Sequence, residues 1–353
     1  MTSSPHRLPV LDALRGIAAL AVCWYHFTHG SETFLPGGLL KSSGSFGWLG
    51  VEMFFVISGF IIPYALHRSS YQTADYGRFI LKRIIRLDPP YLVGLLIVIV
   101  LGYTSAATPG YRGGPFEPSF TQVVLHLGYA NVFFGYPWLN PAYWTLAIEL
   151  QYYLLVGLLF SAVAHRALWV RASAFASMAC LALLFPADQY LCHWLFLFML
   201  GMAAFQLRAG IIERTQFLGW IILLGVGAWH VGGPAIAITG IVTALLLGLL
   251  DAHVKPPLLF FGHISYSLYL LHVPVGGRVI NLSLHFLHHT PGKIVALALA
   301  MSVSIASAWL LYRYVELPAQ QWSSSIRYRK KSSTAPANAL SQQPSAPAET
   351  APL

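Results

Sequence analysis

Apolar stretches long enough to cross a lipid bilayer follow one another along almost the whole chain. A helix rising about 1.5 Å per residue needs about 17–25 residues to cover roughly 30 Å of hydrocarbon. Breaking the sequence at charges, Pro/Gly clusters and polar loops leaves spans near 8–28, 46–66, 81–103, 143–164, 168–185, 190–207, 216–231, 234–250, 258–277 and 294–315. Within a bilayer, segments of this length satisfy their backbone only as helices. The pattern predicts an all-α fold, a polytopic integral membrane bundle of ten transmembrane helices. Charged residues make up 9% of the chain, against roughly 25% in a soluble domain. The first span is too long for a signal-peptide core and carries Arg15 and His26, so it is expected to stay as the first helix.

The net charge of +9 would suit nucleic acid only if it formed a basic patch on a soluble face, and here the cations sit between spans. Nucleic acid is therefore not an expected partner; the lipid bilayer is. Ten spans put four of the 21 Lys and Arg on one side (Lys41, Arg112, Arg278 and Lys293) and seventeen on the other. That asymmetry predicts a multi-pass protein of the inner (plasma) membrane with both termini cytoplasmic. The three cysteines, Cys23, Cys180 and Cys192, fall in apolar runs at unrelated spacings, so neither disulfides nor a metal site is expected. After Trp322 the composition turns to Ser, Ala, Pro and Gln behind a basic run from Arg327 to Lys331. The expected organisation is a membrane domain over 1–322 and a disordered cytoplasmic tail over 323–353, its basic run able to rest on anionic lipid.

Ionisable groups inside spans are costly and mark functional cavities. Arg15 and His26 are eleven residues apart, a net turn of about 20° over roughly 16 Å of rise. They share one face of the first helix, Arg15 toward the cytoplasm. Histidine suits general-base work near neutral pH, and arginine can hold phosphate in a bidentate fork. The competing reading has Arg15 snorkelling to headgroups and His26 bonded to a neighbouring helix. Glu52, at the far end of the second span, either pairs with a cation or sits at the interface, and Ser58-Gly59 allows close helix approach. Arg83 and Arg86 share a face at the start of the third span, which Pro89-Pro90 should break or kink. Glu149 lies about two turns into the fourth span and needs a partner or a raised pKa, orienting His26 being one role. Ser265, Tyr269 and His272 form a polar stripe on the ninth span. The connection from Thr104 to Pro141 is rich in aromatic residues, among them Phe120, Phe133, Phe134 and Trp138. It reads as an interfacial belt or a re-entrant helix, and its rings are candidates for acceptor contact.

These residues fall into motifs. Leu11 to Gly16 followed by Tyr25-His26-Phe27, Gly50 to Phe60, Arg83 and Arg86 before Pro89 and Tyr91, Trp144 to Glu149, and Ser265 to His272 occur in that order. Together they resemble the acyltransferase-3 family of membrane proteins over roughly residues 8–320. The resemblance implies a membrane-embedded O-acyltransferase. Such an enzyme moves an acyl group, most often acetyl, from cytoplasmic acyl-CoA to a hydroxyl, commonly of a cell-surface glycan, with no tightly bound cofactor. It also implies His26 as catalytic base, Glu149 as an essential acid, and Arg15, Arg83 and Arg86 as donor-binding or structural arginines. Asp88 places an acid among those cations. A fused esterase-like domain is not seen, so a stand-alone form is expected. The alternative is a transporter of a glycan or small metabolite, although the paired halves common in transporters are not evident.

Overall fold

The computed structural model describes residues 8–108, 114–287 and 289–329. Arg7, Arg112, Lys330, Lys331 and the tail beyond Arg329 lie outside the described residues. Among those described there is no strand, and ten long helices account for the ten spans one for one. They are α1 (Pro9–His29), α2 (Gly50–Arg68), α3 (Tyr76–Ala106), α4 (Trp144–Val163), α5 (Leu168–Leu184), α6 (Leu191–Arg208), α7 (Arg214–Gly232), α8 (Pro234–Leu249), α9 (Pro256–Leu271) and α10 (Thr290–Leu311). Eight are long and apolar enough to cross a membrane; α5 and α8 are shorter, at 17 and 16 residues. A helix of 16 residues spans about 24 Å, a mismatch that local thinning of the bilayer absorbs at modest cost. The chain is a polytopic helical membrane protein.

Hydrophobicity on every side of α6 has a simple cause. That helix runs through the middle of the bundle, 78% of its apolar window buried, whereas α3 and α7 are 28% buried and turn Leu96, Val100, Ile222, Leu223 and Val226 outward to lipid. Without a hydrophobic drive between helices in lipid, small residues decide where they meet. The crossing of α2 and α6 is at Gly59 and Gly201, where a Cβ on Gly201 would come 2.7 Å from the Phe60 nitrogen. The crossing of α1 and α9 is at Gly16 and Gly262, which stand so close that a Cβ on Gly16 would lie 2.9 Å from the Gly262 nitrogen. Gly201→Val should therefore lower stability by about 1–3 kcal/mol, read as a fall in the thermal midpoint in detergent. Gly219→Val, on an exposed face with nothing within 4 Å, should leave it unchanged.

The break or kink expected at Pro89-Pro90 does not take the form of a break: α3 runs on through both prolines to Ala106. The prolines leave the carbonyls of Ile85 and Arg86 without their i+4 donors, and a neighbouring helix supports the backbone beside them: Tyr266 of α9 donates to the Leu87 carbonyl at 3.0 Å. The boundary at 322/323 falls inside the helix Leu317–Ser325. Past it the chain remains docked, with Ser323 donating to the Lys82 carbonyl at 2.8 Å, Lys82 Nζ to the Ile326 carbonyl at 3.0 Å, and the Arg329 amide to Asp75 at 3.2 Å.

The aromatic connection contains the short helix Phe120–Leu127 with its polarity inverted. Phe120, Val124 and Leu127 point outward, while Gln122, His126 and Asn131 are buried. His126 accepts from the Leu139 amide at 3.1 Å, and Gln122 donates to the Pro137 carbonyl at 2.9 Å. Burial holds the His126 pKa below the usual histidine value, so the ring stays a neutral acceptor. This network fixes Leu139 and Asn140 against the end of the bundle opposite Arg15.

Candidate active site

Two cavities occupy the interior along α1, one toward each end. The first, about 310 Å³, lies among α1, α2, α3, α4 and α9 and is lined by Arg15, Arg83, Arg86, Ser58, Glu149, Tyr266 and Tyr269 among others. A neighbouring cavity of about 270 Å³ shares Asp12, Arg15, Ile61 and Arg86 with it and reaches Tyr64, His263 and Gln320, forming its mouth at the basic end of the bundle. The second, about 300 Å³, lies at the opposite end and is lined by His26, Ser31, Leu139, Asn140, Val273, Arg278 and Asn281 among others.

The arginine cavity carries a charge imbalance. Among the described residues the ion pairs are Arg78 with Asp75 and Arg208 with Asp251, so Arg15, Arg83 and Arg86 have no carboxylate within 4 Å. Arg83 Nε is buried without a hydrogen-bond partner, its guanidinium 5.5 Å from the Phe79 ring centre and 5.8 Å from that of Tyr153. The acids nearby are engaged elsewhere. Glu149 accepts on one carboxylate oxygen from Ser58 at 2.8 Å and from Tyr153, one turn along its own helix. Glu316 accepts from Ser267 at 2.6 Å and Gln320 at 2.9 Å. Asp88 accepts from Tyr129 at 3.1 Å and does not line this cavity, but it shares a small adjoining one with Arg83 and Glu149. Three guanidinium groups thus line an open cavity together with Asp12 and Glu149, neither of which forms an ion pair with them, an arrangement that can receive an anion.

At the other end the hydrogen bonds fix the state of His26. In His272, which opens a turn of π-helix after α9, Nδ1 lies 3.1 Å from the Leu268 carbonyl and 2.8 Å from that of Tyr269. Both are acceptors, so Nδ1 carries the proton and Nε2 the lone pair. That Nε2 is 3.3 Å from His26 Nδ1, which is also 3.0 Å from the Val22 carbonyl. Facing a lone pair and a carbonyl, His26 Nδ1 must be the donor. The lone pair of His26 is therefore on Nε2, to which no described residue hydrogen-bonds, on a ring bordering the far cavity. The tautomer is assigned from these partners, and it is the one a base needs.

Of the residues singled out in the sequence, Arg15, Arg83, Arg86, Glu149 and Tyr269 come together in one cavity, and His26 and His272 meet near the other. The partner that orients His26 is His272 rather than Glu149. Tyr269 stands between the cavities, 2.8 Å from the Thr145 hydroxyl and donating to the Ala142 carbonyl at 3.1 Å. Ser265 is fully buried and donates to the Gly262 carbonyl at 2.8 Å, which makes it part of the helix rather than of either cavity. Glu52 neither pairs with a cation nor sits at the interface; it is buried, with one carboxylate oxygen lacking a partner. The described aromatic rings of 104–141 do not line the far cavity; Leu139, Asn140 and Pro141 at the segment's end do. Sequence reasoning missed Tyr153 and Tyr266. The first stands at i+4 from Glu149, a spacing that announces a pair; nothing local marks the second.

The chain belongs to the acyltransferase-3 family, whose profile, described as an acyltransferase domain, matches residues 8–313. It is an O-acyltransferase of the membrane. It is 26% identical over 388 residues to Acyltransferase MdmB of Streptomyces mycarofaciens, covering 96% of this chain and 97% of that one. It is 28% identical over 339 residues to the putative membrane-bound transacylase BcsY of Komagataeibacter xylinus, covering 86% and 81%. The O-acetyltransferase OatA of Staphylococcus aureus is 32% identical over 174 residues, 46% of this chain and 26% of its own length. No solved structure matches.

Proposed function

We propose that this enzyme transfers an acyl group, most simply acetyl, from cytoplasmic acyl-CoA to a hydroxyl of a carbohydrate acceptor such as a cell-surface glycan, from a plasma-membrane position with both termini cytoplasmic. The observation that carries the reading is the division of labour along α1: three unpaired arginines on a cavity open at the basic end, and a neutral histidine with a free Nε2 at the other. Acyl-CoA combines phosphates with a long thin arm, which matches an arginine-lined mouth leading inward. The basic end faces the cytoplasm by the positive-inside rule, where acyl-CoA is made. The likeness to an O-acetyltransferase supports acetyl as the group moved.

In this reading His26 Nε2 takes the proton of the acceptor hydroxyl as its oxygen attacks the thioester carbonyl. The carbon–sulfur bond breaks, the acyl group stays on the acceptor as an ester, and the CoA sulfur leaves toward the basic end as the thiol, the proton taken up by His26 being returned so that the base is neutral again. The elements that run from one cavity to the other are α1, α3, the stretch 140–149 and the stretch 266–278. Tyr269 with Thr145 forms the partition that the acyl arm has to pass. Glu149 sits on the donor side of that partition, where Ser58 and Tyr153 hold it as a fixed acceptor for a donor group.

The test is transfer of radiolabelled acetyl from acetyl-CoA to envelope glycans in membranes containing the protein, beside membranes lacking it. Base-labile label on glycan only in the first is expected. Label on neither, with the protein folded, would sink the donor or the acceptor, and purified acyl-CoA and sugar panels would show which.

A further inference from the structure

Arg278 stands on the wrong side of the membrane. Cations are excluded from the far side of this chain, where Lys41, Arg278 and Lys293 are the described exceptions. Arg278 alone of these lines an interior cavity, the one that holds His26. Its Nε is buried without a hydrogen-bond partner, and no ion pair joins it to a described residue. No aspartate or glutamate lines the cavity; the other polar residues are Ser31, Asn140 and Asn281. The cavity thus offers one uncompensated positive charge, three neutral hydrogen-bonding side chains, and a base with a free lone pair.

We propose that this far cavity is the acceptor site and that Arg278 makes it select acceptors carrying an oxyanion, a carboxylate or a phosphate, close to the hydroxyl that is acylated. The proposal rests on the acyl-transfer reading above and adds the chemistry of the acceptor. A guanidinium left without a partner gains most from a planar or tetrahedral oxyanion, which it binds in a fork. The amide groups of Asn140 and Asn281 can bond neighbouring hydroxyls, and Asn140 is itself fixed, donating from Nδ2 to the Leu270 carbonyl at 3.2 Å. One charge and one base lining the same small cavity hold a single hydroxyl near Nε2, which is how regiochemistry is set without a large contact surface.

The experiment uses wild-type, Arg278→Gln and Arg278→Lys full-length protein in nanodiscs, radiolabelled acetyl-CoA, and solubilised envelope glycan as acceptor. For the wild type, labelled product should bind an anion-exchange resin at neutral pH. For Arg278→Gln, the acceptor KM should rise about 10- to 100-fold, the loss of one charge-assisted bond, while the acetyl-CoA KM stays put; Arg278→Lys should fall between. A neutral labelled product, or an acceptor KM unmoved by Arg278→Gln, overturns the proposal while leaving acyl transfer standing. So does a variant whose only defect is a lower thermal midpoint in phosphatidylglycerol relative to phosphatidylcholine discs, since Arg278 would then be holding a lipid headgroup. No transfer by the wild type itself would instead remove the acyl-transfer reading, and this proposal with it.

Discussion

His26→Ala is expected to lower kcat for acyl transfer about 10²- to 10⁴-fold, the range that a positioned general base supplies, with the acetyl-CoA KM little changed. The arginine-lined cavity proposed for the donor does not include His26, so the loss should appear in turnover and not in donor binding. His272→Ala should cost about 10- to 100-fold, by analogy with groups that fix the tautomer and orientation of a metal-binding histidine. His272 is buried and does not line the far cavity, and its direct contact with the base is the 3.3 Å approach of its Nε2 to His26 Nδ1. The double variant decides between positioning and mere packing. If His272 acts through His26, the double variant is no slower than His26→Ala alone, because residues acting as a unit are not additive. If the two losses multiply, His272 has a separate role and the tautomer argument fails. His272→Asn, which can place an amide oxygen near His26 Nδ1, should recover part of the rate; a folding defect would instead show in the thermal midpoint of all His272 variants.

The sequence spoke clearly about everything set by one-dimensional pattern. Ten apolar stretches became ten helices because, in lipid, length and apolarity leave no other local solution. The Ser58-Gly59 step marked a close crossing for the same reason, a missing side chain being visible in one letter. Arg15 and His26 do lie along one side of α1, but Arg15 lines one cavity and His26 another, a division that only three-dimensional packing shows. The partner of Glu149 was not legible for a related reason. A buried carboxylate demands donors without saying which, and Ser58, ninety-one residues away, reached it before any histidine could. Pro89-Pro90 reads as a break in water-soluble chains; within a bundle the freed carbonyls are sheltered, and the helix continues. Arg278 looked like one stray loop cation until the cavity around it was in view.

Replacing Arg83 and Arg86 together by methionine is expected to raise the acetyl-CoA KM about 10²- to 10⁴-fold, each lost charge-assisted contact to a donor phosphate being worth about 10- to 100-fold. The opposite behaviour should appear in stability. Unpaired guanidinium groups facing a cavity are a cost to the empty protein, since their desolvation is offset by no carboxylate within 4 Å. An apolar side chain of similar length removes that cost, so the unliganded double variant should melt at the same temperature as the wild type or higher. Ligand should separate them: acetyl-CoA raises the thermal midpoint of the wild type by mass action and leaves that of the variant unmoved. Raised ionic strength should weaken donor binding to the wild type more than to the variant, because screening acts on charges the variant no longer has. Were the arginines structural, held for their stacking on Phe79 and Tyr153, the signs would reverse. The unliganded variant would melt lower, the acetyl-CoA KM would move little, and the mouth at the basic end would have to serve some other ligand.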